Sequence, residues 1–280
     1  MCAAASAIPR SLHHAALAVL RCPSVFEKSN MTQCFYELYQ TGAIGPVRAA
    51  DAAQLAVSDH PARPSDLNVV PPGNVAKRSI GESAERRASM IHSLAHIESW
   101  AIDLSWDIIA RFAHIENLPE DFFQDWLKVA EDESRHFRLL SDRLQSLGSH
   151  YGSLPVHDGL WSSAMNTKHD ILARLVVVHC VHEARGLDVT PQIITRFRNI
   201  GDHESAELLE RIYNEEISHV SCGVKWFRHL CPQIRSGANV QSVFQELVRN
   251  YFHGKLQPPF NVVARTAAGL SYEWYEPLSR

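Results

Sequence analysis

Asp132-Glu133-Ser134-Arg135-His136 and Glu215-Glu216-Ile217-Ser218-His219 share one spacing, Glu-x-x-His. Positions i and i+3 of a helix lie on one face a turn apart, so a carboxylate and an imidazole placed there converge on one point. A single copy says little, because a solvated Glu near a His arises readily by chance. Each copy, however, has a counterpart upstream. Glu98, in Ala95-His96-Ile97-Glu98-Ser99-Trp100, and Glu183, in Cys180-Val181-His182-Glu183-Ala184, stand in apolar helical contexts where an unpaired carboxylate is costly. Glu133 follows Glu98 by 35 residues and Glu216 follows Glu183 by 33. Antiparallel helices joined by a short turn bring mid-helix positions at such separations opposite each other. The chain repeats one arrangement twice.

Apolar periodicity working outward from these motifs predicts the helices that carry them. The first runs from Glu82 to about Glu116, where Leu118-Pro119 stops it. The second follows Pro119, opens on Glu120 and Asp121, and holds through Leu147 until Gly148. A third is clearest from Lys168 to Arg185, with Thr190-Pro191 starting a short extra helix that ends near Gly201. The fourth spans Asp202 to Leu230, before Pro232, and a fifth covers about Val240 to His253. No stretch alternates like a strand, so the fold class is all-α. Four long helices with short one-two and three-four connections and a longer two-three connection predict a four-helix bundle with one crossover. Around this core at 79–235 lie an N-terminal helical appendage at 1–58, a Pro-rich strap at 59–78 containing Pro61, Pro64, Pro71 and Pro72, and a C-terminal helix with a wrapping tail at 236–280.

Composition narrows the function classes. The 280 residues are 45% hydrophobic and 21% charged, with 27 Lys+Arg against 31 Asp+Glu, the balance of an ordinary globular chain. No basic block offers the electrostatic footprint of nucleic-acid binding. Apolar runs such as Leu172 to Cys180 are too short for a membrane span. Cys2, Cys22, Cys34, Cys180, Cys222 and Cys231 form no Cys-x-x-Cys pair and read as reduced thiols. Residues 1–26 hold two Arg and no acid before Glu27. They read as a short helix from Ser11 to Arg21 closed by Pro23, implying a cytoplasmic chain, or as a mitochondrial transit peptide, with residues 1–10 as a short targeting segment.

By analogy with dinuclear carboxylate sites in helical bundles, Glu98, Glu133 and His136 take one metal ion and Glu183, Glu216 and His219 the other, with Glu133 and Glu216 bridging. Four carboxylates balance two divalent ions, and two neutral imidazoles complete the set without net charge. Oxygen-rich ligands with imidazole suit iron or manganese better than structural zinc. Asp132 and Glu215, each preceding a motif Glu, are positioned to accept the outer N–H of a ligand imidazole or to remain surface charges, and Arg135 is placed to pair with them. Gly186, one turn after Glu183, either leaves access space beside the ions or marks a helix end, and Tyr213, one turn before Glu216, is a hydrogen-bonding phenol near them or a core tyrosine. His96, His179 and His182 read as partly exposed or supporting histidines, and Cys180 and Cys222 as packing thiols.

The DESRH stretch at 132–136 resembles the D-E-x-R-H signature of ferritin-like di-iron carboxylate proteins. The blocks AHIESWAIDLSWD (95–107), the run from Glu131 to Trp161, EARGLDVTP (183–191), GDHESAELLERI (201–212), EEISHVSCGVKWFRHLC (215–231) and PPFNVVARTAAGLS (258–271) are similar, in the same order, to the ferritin-like family catalogued as domain of unknown function 455. The resemblance covers about residues 11 to 275 and implies a ferritin-like bundle whose six ligand positions are filled by the expected residue types. It departs at the N-terminus, where Cys2 and further residues precede the family-like start. A family so named supplies a fold rather than a function.

Three functions fit these residues. The leading one is a dinuclear non-haem oxidoreductase in which two iron ions, or manganese, activate oxygen or peroxide on a small-molecule substrate, with electrons from an external donor because no flavin or nicotinamide fingerprint is present. A second is an iron-handling or ferroxidase protein, marked by homo-oligomerisation or an added electron-transfer centre. A third is a scaffold with a structural dinuclear site, marked by closure of the metal positions.

Overall fold

Ser11 begins the described fold by accepting the backbone N–H of His14, and α1 (Leu12–Arg21) follows as predicted. The structure is a computed structural model describing residues 8–47, 52, 56–76 and 78–279. Residues 1–7, most of the suggested targeting segment and with it Cys2, lie outside the described residues. Among the described residues the chain is helical, with no strand and two isolated bridges, Ser11 with Gly45 and Val69 with Val156. No helix is long and apolar enough to cross a membrane among these residues.

The chain divides into two units, 1–158 and 159–280. The first is built on a helical hairpin of α3 (Ala84–Phe112) and α4 (Glu120–Ser146). Asn117, at φ 68°, takes the left-handed turn between them, a conformation Asn tolerates better than most residues. Trp106, Phe122, Trp126, Phe137 and the aliphatic side chains around them are buried, and α1 and α2 (Val25–Gln40) pack on this pair. Periodicity alone does not reveal α2, since its residues are polar on most sides, but Ser24-Val25-Phe26-Glu27 is a readable capping box. Ser24 indeed accepts the Glu27 backbone N–H at 3.3 Å.

Among its described residues the strap turns at 65–66 and at Pro72–Asn74, and it is tied down by backbone bonds. Ala62 N–H donates to the Leu20 carbonyl at 2.8 Å, and residues 68–70 exchange backbone bonds with Val156.

The second unit opens with α5 (Gly159–Asn166), followed by a long helical stretch in three parts: α6 (Ile171–Val176), a π-helical segment at Val177–His182, and α7 (Glu183–Asn199). Asp170 caps it by accepting the N–H groups of Leu172 and Ala173. The predicted break at Thr190-Pro191 does not occur, because Pro191 sits inside α7. Proline deprives the carbonyl four residues earlier of its helical donor. That carbonyl belongs to Leu187, and Asn261 Nδ2 donates to it at 3.1 Å, so the lost bond is replaced from the tail. Gly201, at φ 77°, turns the chain into α8 (His203–Ile234), which runs through Pro232 rather than stopping at Leu230. The fifth helix appears as α9 (Val240–Tyr251), and the tail adds α10 (Val262–Ala267) and α11 (Tyr272–Tyr275). Phe227, Phe244 and Trp274 join α8, α9 and α11 edge to face.

One cysteine departs from expectation. Cys22, Cys180, Cys222 and Cys231 are thiols, whereas Cys34 is disulfide-bonded.

Candidate metal centre

In the first unit the ligand residues predicted from spacing meet. Glu98 on α3 and Glu133 and His136 on α4 each offer one ligand atom, and these atoms all lie within 4.8 Å of one another. His136 Nδ1 stands 3.6 Å from Glu133 Oε2 and 3.9 Å from Glu98 Oε2. Bonds of about 2.1 Å from one ion separate two ligands by roughly 3.0 to 4.2 Å between right-angle and opposed placement, so both distances suit a shared ion. They are too long for direct hydrogen bonds. The His136 side chain is fully buried and that of Glu133 is 1% exposed. Two carboxylates and an imidazole held in such surroundings form a cluster able to hold a metal ion.

The surrounding charges are organised on a different face. Asp132 Oδ1 accepts Lys128 Nζ at 2.6 Å and pairs with Arg135, which also lies 4.0 Å from Glu131. The predicted Asp132–Arg135 pairing is thus present, on the partly exposed side of α4. Ser29 on α2 donates to the Ser134 carbonyl at 2.9 Å, fixing the backbone of the motif itself.

Five residues after Glu98, and so about 140° around α3, lies Asp103. It is fully buried, with Lys28 Nζ of α2 at 2.5 Å and Arg63 of the strap at 2.8 Å. Arg63 also stacks over Trp100, 3.6 Å from the ring centroid, and donates to the Ser99 carbonyl. Burial pushes the Lys28 amine below its ordinary range, with Asp103 opposing that shift. Sequence reading missed this network. Asp103 and Asp107 within the apolar run Trp100 to Ile109 signal buried pairing, but nothing local identifies Lys28 or Arg63 as the partner.

The second unit carries its own pair. His219 Nδ1 and Glu216 Oε2 are 3.1 Å apart on α8, with the same ring nitrogen turned to the motif carboxylate as in the first unit. Gly223 comes so close to the π-helical segment that an added Cβ would stand 2.3 Å from the His179 carbonyl oxygen. This contact seats the π-helical segment directly against α8. Glu183 is half-buried, as are Glu215 and Tyr213.

Tyr213 Oη accepts a 2.8 Å hydrogen bond from Asn261 Nδ2, and Gly186 has open space where a Cβ would be. The structure gives Gly186 no helix end, since α7 continues to Asn199. Asp188 is buried against Arg265, which grips it through both Nε and a terminal nitrogen at 2.9 and 2.6 Å, and accepts the Asn261 N–H as well.

The neighbouring histidines are engaged elsewhere. His96 Nε2 lies 2.8 Å from the His157 carbonyl and its Nδ1 3.0 Å from Tyr151 Oη, while His182 Nε2 lies 2.9 Å from Ser163 Oγ. Burial lowers their pKa values to about 3 and about 4, which keeps both rings neutral. Burial raises the Cys180 thiol well above its ordinary range, with nearby Glu183 adding to it, consistent with a packing role.

Comparison with known proteins gives the same picture of relatedness without an activity. A family model described as "Protein of unknown function (DUF455)" matches residues 21–276. A protein of Haemophilus influenzae (strain ATCC 51907 / DSM 11121 / KW20 / Rd) carrying the description "Uncharacterized protein" is 38% identical over 207 residues, 72% of this chain and 71% of the relative. No solved structure matches.

Proposed function

The chain belongs to the family described as "Protein of unknown function (DUF455)", and from its two Glu-x-x-His hairpins we propose that it is a dinuclear non-haem metal oxidoreductase acting with oxygen or peroxide. The observation that carries this reading is the buried convergence of Glu98, Glu133 and His136. In the proposal these three hold one ion, Glu183, Glu216 and His219 hold the second, and Glu133 and Glu216 bridge. That requires the core at 79–235 to form a ferritin-like four-helix bundle with one crossover.

The donor set fits iron, with manganese as the alternative, because carboxylate and imidazole ligands suit both and no thiolate is included. Two such ions, when bound, supply the electrons and the Lewis acidity for reducing oxygen or peroxide. The chain's own groups provide the rest. Glu98, Glu133 and His136 are preplaced by two long helices, so little reorganisation is needed when an ion enters. Burial of the Glu133 and His136 side chains keeps bulk water from them. Substrate and electron donor come from outside the chain.

The test is elemental analysis of protein purified without oxygen, followed by optical spectra on oxygen addition. About two iron per chain and an oxygen-dependent spectral change are the expected result. A metal-free protein after anaerobic loading with iron and with manganese overturns the reading. Bound metal with no response to oxygen or peroxide leaves the structural-site function instead.

A further inference from the structure

In the first unit, a side chain that is not a ligand touches both helices that carry the ligand triad. After α4 the chain turns at Gly148, φ 77°, and Tyr151 follows in the loop. The loop is pinned to α3 at two points. The Gly152 N–H, on a backbone at φ 94° that favours glycine, donates to His92 Nε2 at 3.0 Å. The His157 carbonyl lies 2.8 Å from His96 Nε2.

The phenol joins the two helices beside the ligands. Its hydroxyl lies 2.9 Å from Ser99 Oγ and 3.0 Å from His96 Nδ1 on α3. Its ring meets Phe137 of α4 edge to face, with centroids 5.1 Å apart and planes at 87°. Ser99 directly follows Glu98, and Phe137 directly follows His136. Neighbouring residues on a helix point about 100° apart, so a group seated on Ser99 and Phe137 flanks the ligands without being one of them. Ser99 is held from elsewhere by Arg63, which donates to its hydroxyl at 3.2 Å and to its carbonyl at 3.0 Å.

The covalent closure of the hairpin is remote from this level. From Glu98 to the end of α3 at Phe112 is 112 − 98 = 14 residues, about 21 Å of helix, with the turn at Asn117 beyond. Apolar packing between the helices is non-directional, whereas a hydrogen bond restricts both distance and angle. Burial raises the Tyr151 phenol above its ordinary range, so it stays protonated and its hydroxyl remains a hydrogen-bonding group.

We propose that Tyr151 is a positioning residue for the first-unit triad. Through Ser99 and Phe137 it ties the Glu98 turn of α3 to the His136 turn of α4, and so sets how tightly and in what geometry an ion is held. The consequence for metal rests on the reading under "Proposed function", whereas the tie itself does not.

The experiment compares Tyr151→Phe, which keeps the ring and removes the hydroxyl, with Tyr39→Phe. Tyr39 also bonds to the hairpin, donating at 2.8 Å to Glu120 in the first turn of α4, more than three turns from Glu133. Cobalt(II) is titrated without oxygen into the full-length metal-free protein, and its visible absorption is recorded. Tyr151→Phe should weaken cobalt binding about fivefold to tenfold, the worth of one neutral hydrogen bond, and shift the visible bands as the ligand geometry relaxes. Tyr39→Phe should keep wild-type affinity and bands. Wild-type affinity and bands in Tyr151→Phe overturn the proposal, as does an equal change in Tyr39→Phe, which would mark a general loss of stability.

In a second arm, hydrogen exchange of the metal-free protein is followed by mass spectrometry. Tyr151→Phe should speed exchange severalfold in the segments around Glu98 and around His136 together. A rise in neither segment, in one alone, or equally throughout the chain overturns the tie. A wild-type protein that binds no metal defeats the metal-centre reading alone, and the exchange contrast then decides whether the tie exists. If Tyr151→Phe does not fold, Ser99→Ala removes the other end of the bond and is judged by the same outcomes.

Discussion

The two Glu-x-x-His hairpins are near repeats in sequence and unlike in surroundings. In the first, His136 is fully buried and Glu133 1% exposed, while Glu98, at 10%, completes the cluster. In the second, His219 is as buried as His136, but Glu216 is 15% exposed, and the helix carrying Glu183 is interrupted by a π-helical segment immediately before it. The difference lies in what packs around each motif. Spacing sets which side chains can converge, and the neighbouring segments set whether solvent reaches them. A more deeply buried carboxylate is shielded from water, while a more exposed one is within reach of solvent.

The largest test of this contrast is removal of one carboxylate from each half. Glu133→Ala should abolish metal binding, because a buried site cannot replace the ligand with water. Glu216→Ala should retain part of the metal, because water can reach this 15% exposed position. Elemental analysis of both variants after anaerobic loading checks this, and equal losses would erase the contrast.

Buried ion pairs support each hairpin. Asp103→Ala would leave Lys28 buried without its closest carboxylate, at a cost of about 3–5 kcal/mol. Asp188→Ala would do the same to Arg265 in the second unit. Thermal melting of the two variants reads whether the units unfold together, giving one shifted transition, or apart, giving two.

Glycine substitutions should then act in opposite directions. Gly223→Ala pushes a methyl group against the His179 carbonyl and should cost about 1–3 kcal/mol in chemical denaturation. Gly186→Ala meets nothing and should stabilise α7 by about 0.5–1 kcal/mol.

The smallest effect is a pH slope that buried histidines add in each unit, through His92 in the first and His182 in the second. His92 accepts the Gly152 N–H on Nε2, and burial, with Arg78 and His150 adding to it, lowers its pKa from 6.5 to about 4. The folded state therefore keeps the ring neutral while the unfolded chain takes up a proton. Stability should be constant above pH 6.5 and fall as the pH drops toward 4, the range in which only the unfolded state binds the extra proton. His92→Gln should flatten this part of the slope in melting temperature against pH.

Much of this architecture was legible in residue order. The runs around Glu98, Glu133 and Glu216 became α3, α4 and α8 within a few residues, because each carries long apolar periodicity and end signals such as Pro119, Gly148 and Asp202. Local rules failed at Pro191. They expected a new helix there, but Asn261, 70 residues downstream, supplies the donor that proline lacks. They also overlooked α2, whose polar residues hide a helix that packs through Phe35 and the buried Lys28.

The sequence by itself determined that the chain is helical and that Glu98, Glu133 and His136 can meet, since helical period and hairpin spacing are properties of neighbouring residues. Only the tertiary structure decided that Asp103 is held by Lys28 and Arg63, that Asn261 joins Leu187 to Tyr213, and that Gly186 faces open space while Gly223 faces backbone. These outcomes depend on segments far apart in the chain. Their contacts follow from how whole helices pack, so no local pattern encodes them.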